Sequence, residues 1–281
     1  MLIASWNVNS IRSRLSQVLA WLEDKQVDVL CLQETKVLDK DFPSDAFRKI
    51  GYEVQFYGQK SYNGVAIVSK NNFYDTRFGF TGELNKSNVS NELIDQKRII
   101  SAQINGIRII NVYVPNGSSL DSEKFKYKIC WLKKLNEYLK KQEIRGEPTC
   151  LLGDFNIALN DSDIYSPEKF SGNIMASDTE RKTLKMILEK RFIDSFRVFE
   201  KFSGHWSWWD YRNNAFDLNK GWRIDHIYIS NNLLSNLKSS VIERNQRANI
   251  QPSDHAPVLI NLDFAGNHDE FDEEDDDILD L

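Results

Sequence analysis

Eight short apolar or β-branched runs, at residues 2–8, 28–32, 64–69, 97–104, 107–114, 149–153, 223–229 and 256–262, alternate with stretches of helical period. Runs of this length, bounded by turn residues, read as strands. Three other stretches carry apolar residues at helical spacing. Residues 11–24 place Ile11, Leu15, Val18, Leu19 and Leu22 on one face. Residues 122–140 group Phe125, Ile129, Leu132, Leu135 and Leu139, with lysines elsewhere. Residues 178–190 form a third helix, with Asp178 as its cap. Asn105-Gly106 separates 98–104 from 106–112 and predicts a hairpin. Hairpins mixed with crossover helices point to an α/β or α+β fold, not an all-parallel sheet.

No Pro/Gly/Ser linker and no internal repeat divides residues 1–264, so they read as one domain. Residues 265–281 differ in kind. From 267 onward they hold nine acidic side chains and no Lys or Arg, a composition too charged to bury. The whole chain carries a net charge of −5; without those nine acids the body has 36 basic against 32 acidic residues. A mildly basic body is compatible with nucleic-acid binding. The acidic segment is expected to solubilise the chain, to compete with DNA for the basic face, or to contact another protein. Three cysteines, Cys31, Cys130 and Cys150, match no zinc spacing and read as packing residues in a reducing compartment. No apolar run approaches the ~20 residues of a membrane span, and no secretory leader is evident, so a cytoplasmic protein is expected, with a monomer as the default.

Polar residues gather where the strands end. Asn7 and Asn9 close the first, Glu34 and Lys36 follow the second, and Tyr113 and Asn116 close 107–114. Asp154 and Asn156 follow 149–153, Asp225 lies in 223–229, and Asp254 and His255 stand before the last strand. If these ends share one edge, they form a polar crater above a packed core. Carboxylate and amide oxygens are hard donors suited to Mg²⁺ or Mn²⁺. Beside them, His255 offers an imidazole able to change charge near neutral pH. Such a set can activate water and stabilise a departing alkoxide, and no Ser or Cys nucleophile with a matching base accompanies it. Taken singly, each segment also reads as a turn, a cap or a solvated carboxylate.

Seven segments together carry a resemblance. They are Trp6 to Arg12, Leu32 to Lys36, Tyr62 to Ile67, Asn111 to Gly117, Gly153 to Ala158, Gly221 to Ile227 and Ser253 to Val258. In this order the chain resembles the exonuclease III family of abasic-site endonucleases, within the endonuclease/exonuclease/phosphatase superfamily. The resemblance implies a four-layer sandwich of two packed mixed β-sheets flanked by helices. It implies Mg²⁺, or Mn²⁺, held by Glu34 with Asn7, Asp154, Asn156 and Asp254. It makes Tyr113, Asp154, Asn156, Asp225, Asp254 and His255 the catalytic set, with either Asp154 or His255 as base and either one metal or two. It also implies a double-stranded DNA substrate with abasic or blocked 3′ sites, cut 5′ to the lesion to leave a 3′-hydroxyl.

Residues 205–211, His-Trp-Ser-Trp-Trp-Asp-Tyr, would as a strand put Trp206 and Trp208 on one face and Trp209 on the other. Core packing is the plain reading of any one of them. By resemblance, Trp208, Trp222 and Ile224 line an apolar pocket that accepts a sugar without its base. Arg98, Asn116 and Arg223 are candidate DNA contacts, and Arg98 and Arg223 read equally as ion-pair members. Two other classes compete: a phosphatase acting on lipid or inositol phosphates, which needs no tryptophan pocket, and a catalytically silent DNA-binding protein, which would show gaps among the acid, amide and histidine positions.

Overall fold

The computed structural model describes residues 1–264, so the acidic segment lies outside the described residues. Two six-stranded sheets pack face to face. The first contains β1 (Leu2–Asn7), β2 (Val29–Gln33), β3 (Glu53–Tyr57), β4 (Val65–Ser69), β11 (Leu237–Ile242) and β12 (Val258–Leu262), in the order β11-β12-β1-β2-β4-β3. The second contains β5 (Tyr74–Phe78), β6 (Ile99–Ile104), β7 (Ile107–Tyr113), β8 (Thr149–Asp154), β9 (Phe192–Asp194) and β10 (Asp225–Ser230), in the order β5-β6-β7-β8-β10-β9. Each sheet has one parallel pair at its centre, β1 with β2 and β7 with β8. All other pairs are antiparallel. Asn105 and Gly106, both at positive φ, close the expected β6–β7 hairpin.

Period-two alternation divides each strand between two cores. Ile3, Val29, Cys31, Ile67, Ile109, Cys150, Leu152, Ile227 and Ile260 fill the space between the sheets. Ala4, Trp6, Leu30 and Leu32 face outward to helix α1 (Ile11–Lys25). On the other side, Ile110, Val112 and Leu151 meet α2 (Glu123–Arg145) and α3 (Asp178–Leu188). The result is the helix–sheet–sheet–helix sandwich that the resemblance implied. Among the described residues no helix is long and apolar enough to cross a membrane.

Local details depart from the sequence reading in three places. Ser177, not Asp178, caps α3: its hydroxyl accepts the Glu180 amide, and Glu180 reaches back to the Ser177 amide. The lysines of α2 do not all face solvent, since Lys128 is fully buried beside Trp131 and Leu132. Cys31 and Cys150 are core residues, whereas Cys130 is exposed.

One glycine is indispensable to the site. Gly153 lies opposite Val112 across the parallel β7–β8 pair, at φ +143°. A Cβ there would fall 1.9 Å from the Val112 carbonyl oxygen. Only glycine lets the two strands close and bring Tyr113 level with Asp154.

Candidate active site

Strand register assembles the site. Tyr113 and Asp225 both pair with Asp154, and Asn7 pairs with Gln33, the residue before Glu34. Asp254 and His255 precede β12, whose partner is β1. A buried amide links the sheets below: Asn111 donates to the carbonyls of Leu32 and Ala66 and accepts from Gln33. Glu34 and Asn156 occupy the left-handed region at φ 50° and 49°, an uncommon conformation for a glutamate.

Asn7 sits at the centre. Its Nδ2 donates to Glu34 Oε1 at 2.9 Å and to Asp154 Oδ2 at 2.8 Å, while its Oδ1 accepts the Asn9 amide. The Asn156 Nδ2 donates to Val114 O and Asp154 Oδ2, and its Oδ1 accepts from Asn116 at 2.9 Å. Asp254 accepts from Asn9 and from the Trp208 indole, each at 3.0 Å. The side chains expected as metal ligands, Asn7, Glu34, Asp154, Asn156 and Asp254, are thus joined by hydrogen bonds to one another or to their neighbours. Among the described His, Cys, Asp and Glu side chains, Glu34, Asp154 and His255 bring candidate ligand atoms within 4.8 Å of one another.

Charge sorts the roles within that group. His255 Nδ1 meets Asp225 Oδ2 at 2.8 Å, and its Nε2 lies 3.8 Å from Asp154 Oδ2. Burial disfavours the imidazolium, but the carboxylates of Asp225 and Asp154 outweigh it and hold His255 protonated up to about 10. Burial pushes Asp154 up to about 7, against the opposing pull of His255. Burial and the Glu34 charge also push the Tyr113 hydroxyl above its ordinary range. Glu34 and Asp154 supply the carboxylate oxygens of this cluster. Their oxygens fit a hard divalent ion. Lys36 Nζ, 2.8 Å from Glu34 Oε2, is the cation nearest that carboxylate among the described ion pairs.

The apolar wall forms beside this cluster. Trp208 and Trp222 exchange backbone hydrogen bonds of 2.9 Å, and both pack with Ile224, Ile164 and Met175. Residues 205–211 are not a strand, and the expected alternation fails: Trp206 and Trp209 share another cluster, leaving Trp208 to the pocket. Arg98 and Asn116 line an open groove of about 720 Å³ with Tyr62, Tyr113 and Lys124. The Arg98 guanidinium lies 4.7 Å from the centre of the Tyr113 ring.

Arg223 is a correction. It is 1% exposed, with Nε on Asp163 at 2.8 Å and Nη2 on Asp194 at 2.7 Å, so no phosphate can reach it. Burial would raise the Asp163 carboxyl, but Arg223 outweighs it and lowers the group from 3.8 to about 2. A carboxyl depressed on folding stabilises above its unfolded value and loses that contribution as pH falls through the folded one. At ~1.4 kcal/mol per unit, the loss is about 2 kcal/mol between pH ~4 and ~2. Thermal melts across that range should show it, and Arg223→Met should flatten the slope there. An equal slope in the variant would count against the assignment.

Buried supports went unread in the sequence. Ser207 Oγ donates to Asp225 Oδ2 at 2.7 Å, and Ser253 Oγ donates to the Asn7 carbonyl at 2.6 Å. Gln33 and Asn111 had a readable signal, being polar residues at inward positions of apolar strands. Ser207 had none, because its role exists only through the pairing of residues 207 and 225.

A family model described as "Endonuclease/Exonuclease/phosphatase family" matches residues 4–255. The chain belongs to that family. Among its relatives, exodeoxyribonuclease III of Haemophilus influenzae is 34% identical over 270 residues, covering 92% of this chain and 98% of that protein. The 3′ phosphatase NExo from Neisseria, solved as a variant bound to a product DNA hairpin, superposes with a TM-score of 0.88 at 41% identity, covering 94% of this chain and all of that one. An AP endonuclease from Archaeoglobus fulgidus gives 0.87 at 38% identity, with the same coverage. Within the family the chain falls among exodeoxyribonuclease III-like and AP endonuclease-like enzymes, which are hydrolytic nucleases.

Proposed function

We propose that the chain is a Mg²⁺-dependent DNA-repair nuclease that hydrolyses the phosphodiester 5′ to an abasic site and also trims 3′ ends. One observation carries this reading: the Glu34, Asp154 and His255 cluster stands beside an apolar wall of Trp208, Trp222 and Ile224. A paired nucleotide cannot enter such a wall intact, whereas a sugar lacking its base costs less to extrude and exposes no unmet base polar groups.

In this reading a bound Mg²⁺ supplies Lewis-acid neutralisation of the phosphate. In its ionised form Asp154, which accepts from Asn7 and stands beside the imidazolium, takes the proton of the attacking water. Burial keeps Asp154 basic enough for that transfer near neutral pH, whereas His255 is already charged, so Asp154 is the base and His255 the positive contact for phosphate oxygen. Tyr113 donates to another phosphate oxygen, and the Asn156 amide holds Asp154 in place. Water adds to phosphorus, the bond to the 3′-oxygen of the upstream nucleotide breaks, and that oxygen takes up a proton from solvent to become a 3′-hydroxyl, while Asp154 returns the water's proton to solvent. Asp225, 2.8 Å from His255 Nδ1, orients the imidazole.

The test is cleavage of a duplex with one abasic analogue, in Mg²⁺ and again in EDTA, alongside an intact duplex and a hairpin bearing a 3′-phosphate. The last substrate is included because of the likeness to a 3′ phosphatase. Incision 5′ to the lesion, abolished by EDTA, is expected. Trp222→Ala should lower the preference for abasic over intact DNA by about 10-fold, as loss of one to a few kcal/mol of apolar contact implies. Unaltered preference would remove the pocket from the account; no incision by the unmodified protein would remove the reading.

A further inference from the structure

A buried ion pair with no part in the chemistry above lies directly beneath the site. Lys128 of α2 and Glu180 of α3 both have fully buried side chains. Lys128 Nζ donates to Glu180 Oε1 at 2.5 Å, to the Asn156 carbonyl at 2.7 Å and to the Asn116 carbonyl at 3.1 Å. An ammonium has three donors, and all three are used. Glu180 accepts in turn from the Met175 amide, the Ser177 amide and the Ser177 hydroxyl. Two side chains thus join the loop after β7, the loop after β8 and the entry to α3. The turn at Gly117 closes against the same lysine, whose Cδ would lie 3.1 Å from a Cβ at that position.

Stability alone does not account for this pair. Desolvating two charges costs so much that apolar or neutral replacements of similar volume are often neutral or stabilising. Its connections run instead to the reactive groups. Above the two carbonyls the side chains of Asn116 and Asn156 bond each other at 2.9 Å, and the Asn156 amide and backbone N–H reach both Asp154 oxygens.

We infer that Lys128, held by Glu180, is a positioning residue for phosphodiester hydrolysis: it fixes the Asn116 and Asn156 carbonyls and through them the Asn156 amide beside Asp154. This rests on the role given to Asn156 under the proposed function. Small misplacements of a catalytic group can cost about 100-fold in rate.

The decisive protein is Lys128→Met combined with Glu180→Gln. Both charges leave together, and glutamine still accepts from the α3 entry. Lys128→Met alone would strand a buried carboxylate and is expected to fold poorly. In the double variant, checked for folding by circular dichroism, kcat on the abasic duplex should fall about 10- to 100-fold with DNA affinity within about twofold. Lys128→Arg should recover part of the rate. A purely structural pair would lower the melting temperature and leave kcat intact, and a folded double variant with the original kcat would overturn the inference. A second readout needs no substrate: the side-chain NH₂ signals of Asn116 and Asn156 in NMR spectra should broaden or double in the double variant. Unchanged signals would overturn the positioning role whatever the substrate is. Failure of the unmodified protein to cut abasic DNA would strike only the proposed function.

Discussion

Asp154→Ala should lower kcat on an abasic-site duplex by about 1,000- to 10,000-fold, with DNA affinity changed far less. The loss combines a general base, which commonly supplies about 100- to 10,000-fold, with one of the two carboxylates expected to hold the cation. Asp154 is 1% exposed and contacts Asn7, Asn156 and the His255 side of the cluster, so no neighbouring group takes its place. The same carboxyl predicts the pH profile. In the proposed mechanism its ionised form is the active one, and burial raises the carboxyl to about 7. The rate should therefore climb as pH rises through neutrality. Raising Mg²⁺ should move that acid limb to lower pH, because a bound cation favours the ionised form. Single-turnover rates from pH ~5 to ~9 at two Mg²⁺ concentrations check both statements. Substantial activity in Asp154→Ala, or an acid limb indifferent to Mg²⁺, would refute the roles assigned to this residue.

Glu34→Gln is the second large effect, and its signature differs. The substitution removes one charge from the cluster while keeping an acceptor for Asn7. Ligand charge governs affinity for a hard cation, and loss of even an outer hydrogen-bond partner typically costs about 10- to 100-fold. The Mg²⁺ needed for half-maximal rate should rise by more than about 100-fold, with partial recovery at saturating metal. Loss of the Lys36 ion pair accompanies the change, but Glu34 is partly exposed, so that loss is screened and small. A metal titration of kcat in Glu34→Gln matching the unmodified enzyme would place the cation elsewhere.

All eight strands expected from the sequence are present, and the four that apolar patterning does not mark, β3, β5, β9 and β11, are the four sheet edges. Central strands are buried on both faces and write themselves as apolar runs. An edge strand such as β5, Tyr-Asp-Thr-Arg-Phe, is half in water, and its mixed composition carries no such mark. Helix α2 misled for a related reason. Its lysines read as a solvated face, yet Lys128 turns inward because loops contributed by other segments offer it carbonyls and a carboxylate.

The site divides in the same way. Glu34, Asp154, Asp225 and His255 were legible because a titratable side chain at the end of an apolar run borders the core, where a charge is costly unless it is partnered. Which of them binds, accepts a proton or merely orients was not legible. That depends on distances such as 2.8 Å from His255 to Asp225, and on burial that raises Asp154 and removes Arg223 from solvent. Residue types and their order along the chain determined the strands, the crater and the class of chemistry, because apolar periodicity and hard donors are local properties. Only the tertiary structure decided which of these groups meet, how deeply each is buried and where Lys128 turns, because each is set by groups dozens to hundreds of residues away whose fields and hydrogen bonds act over a few ångströms.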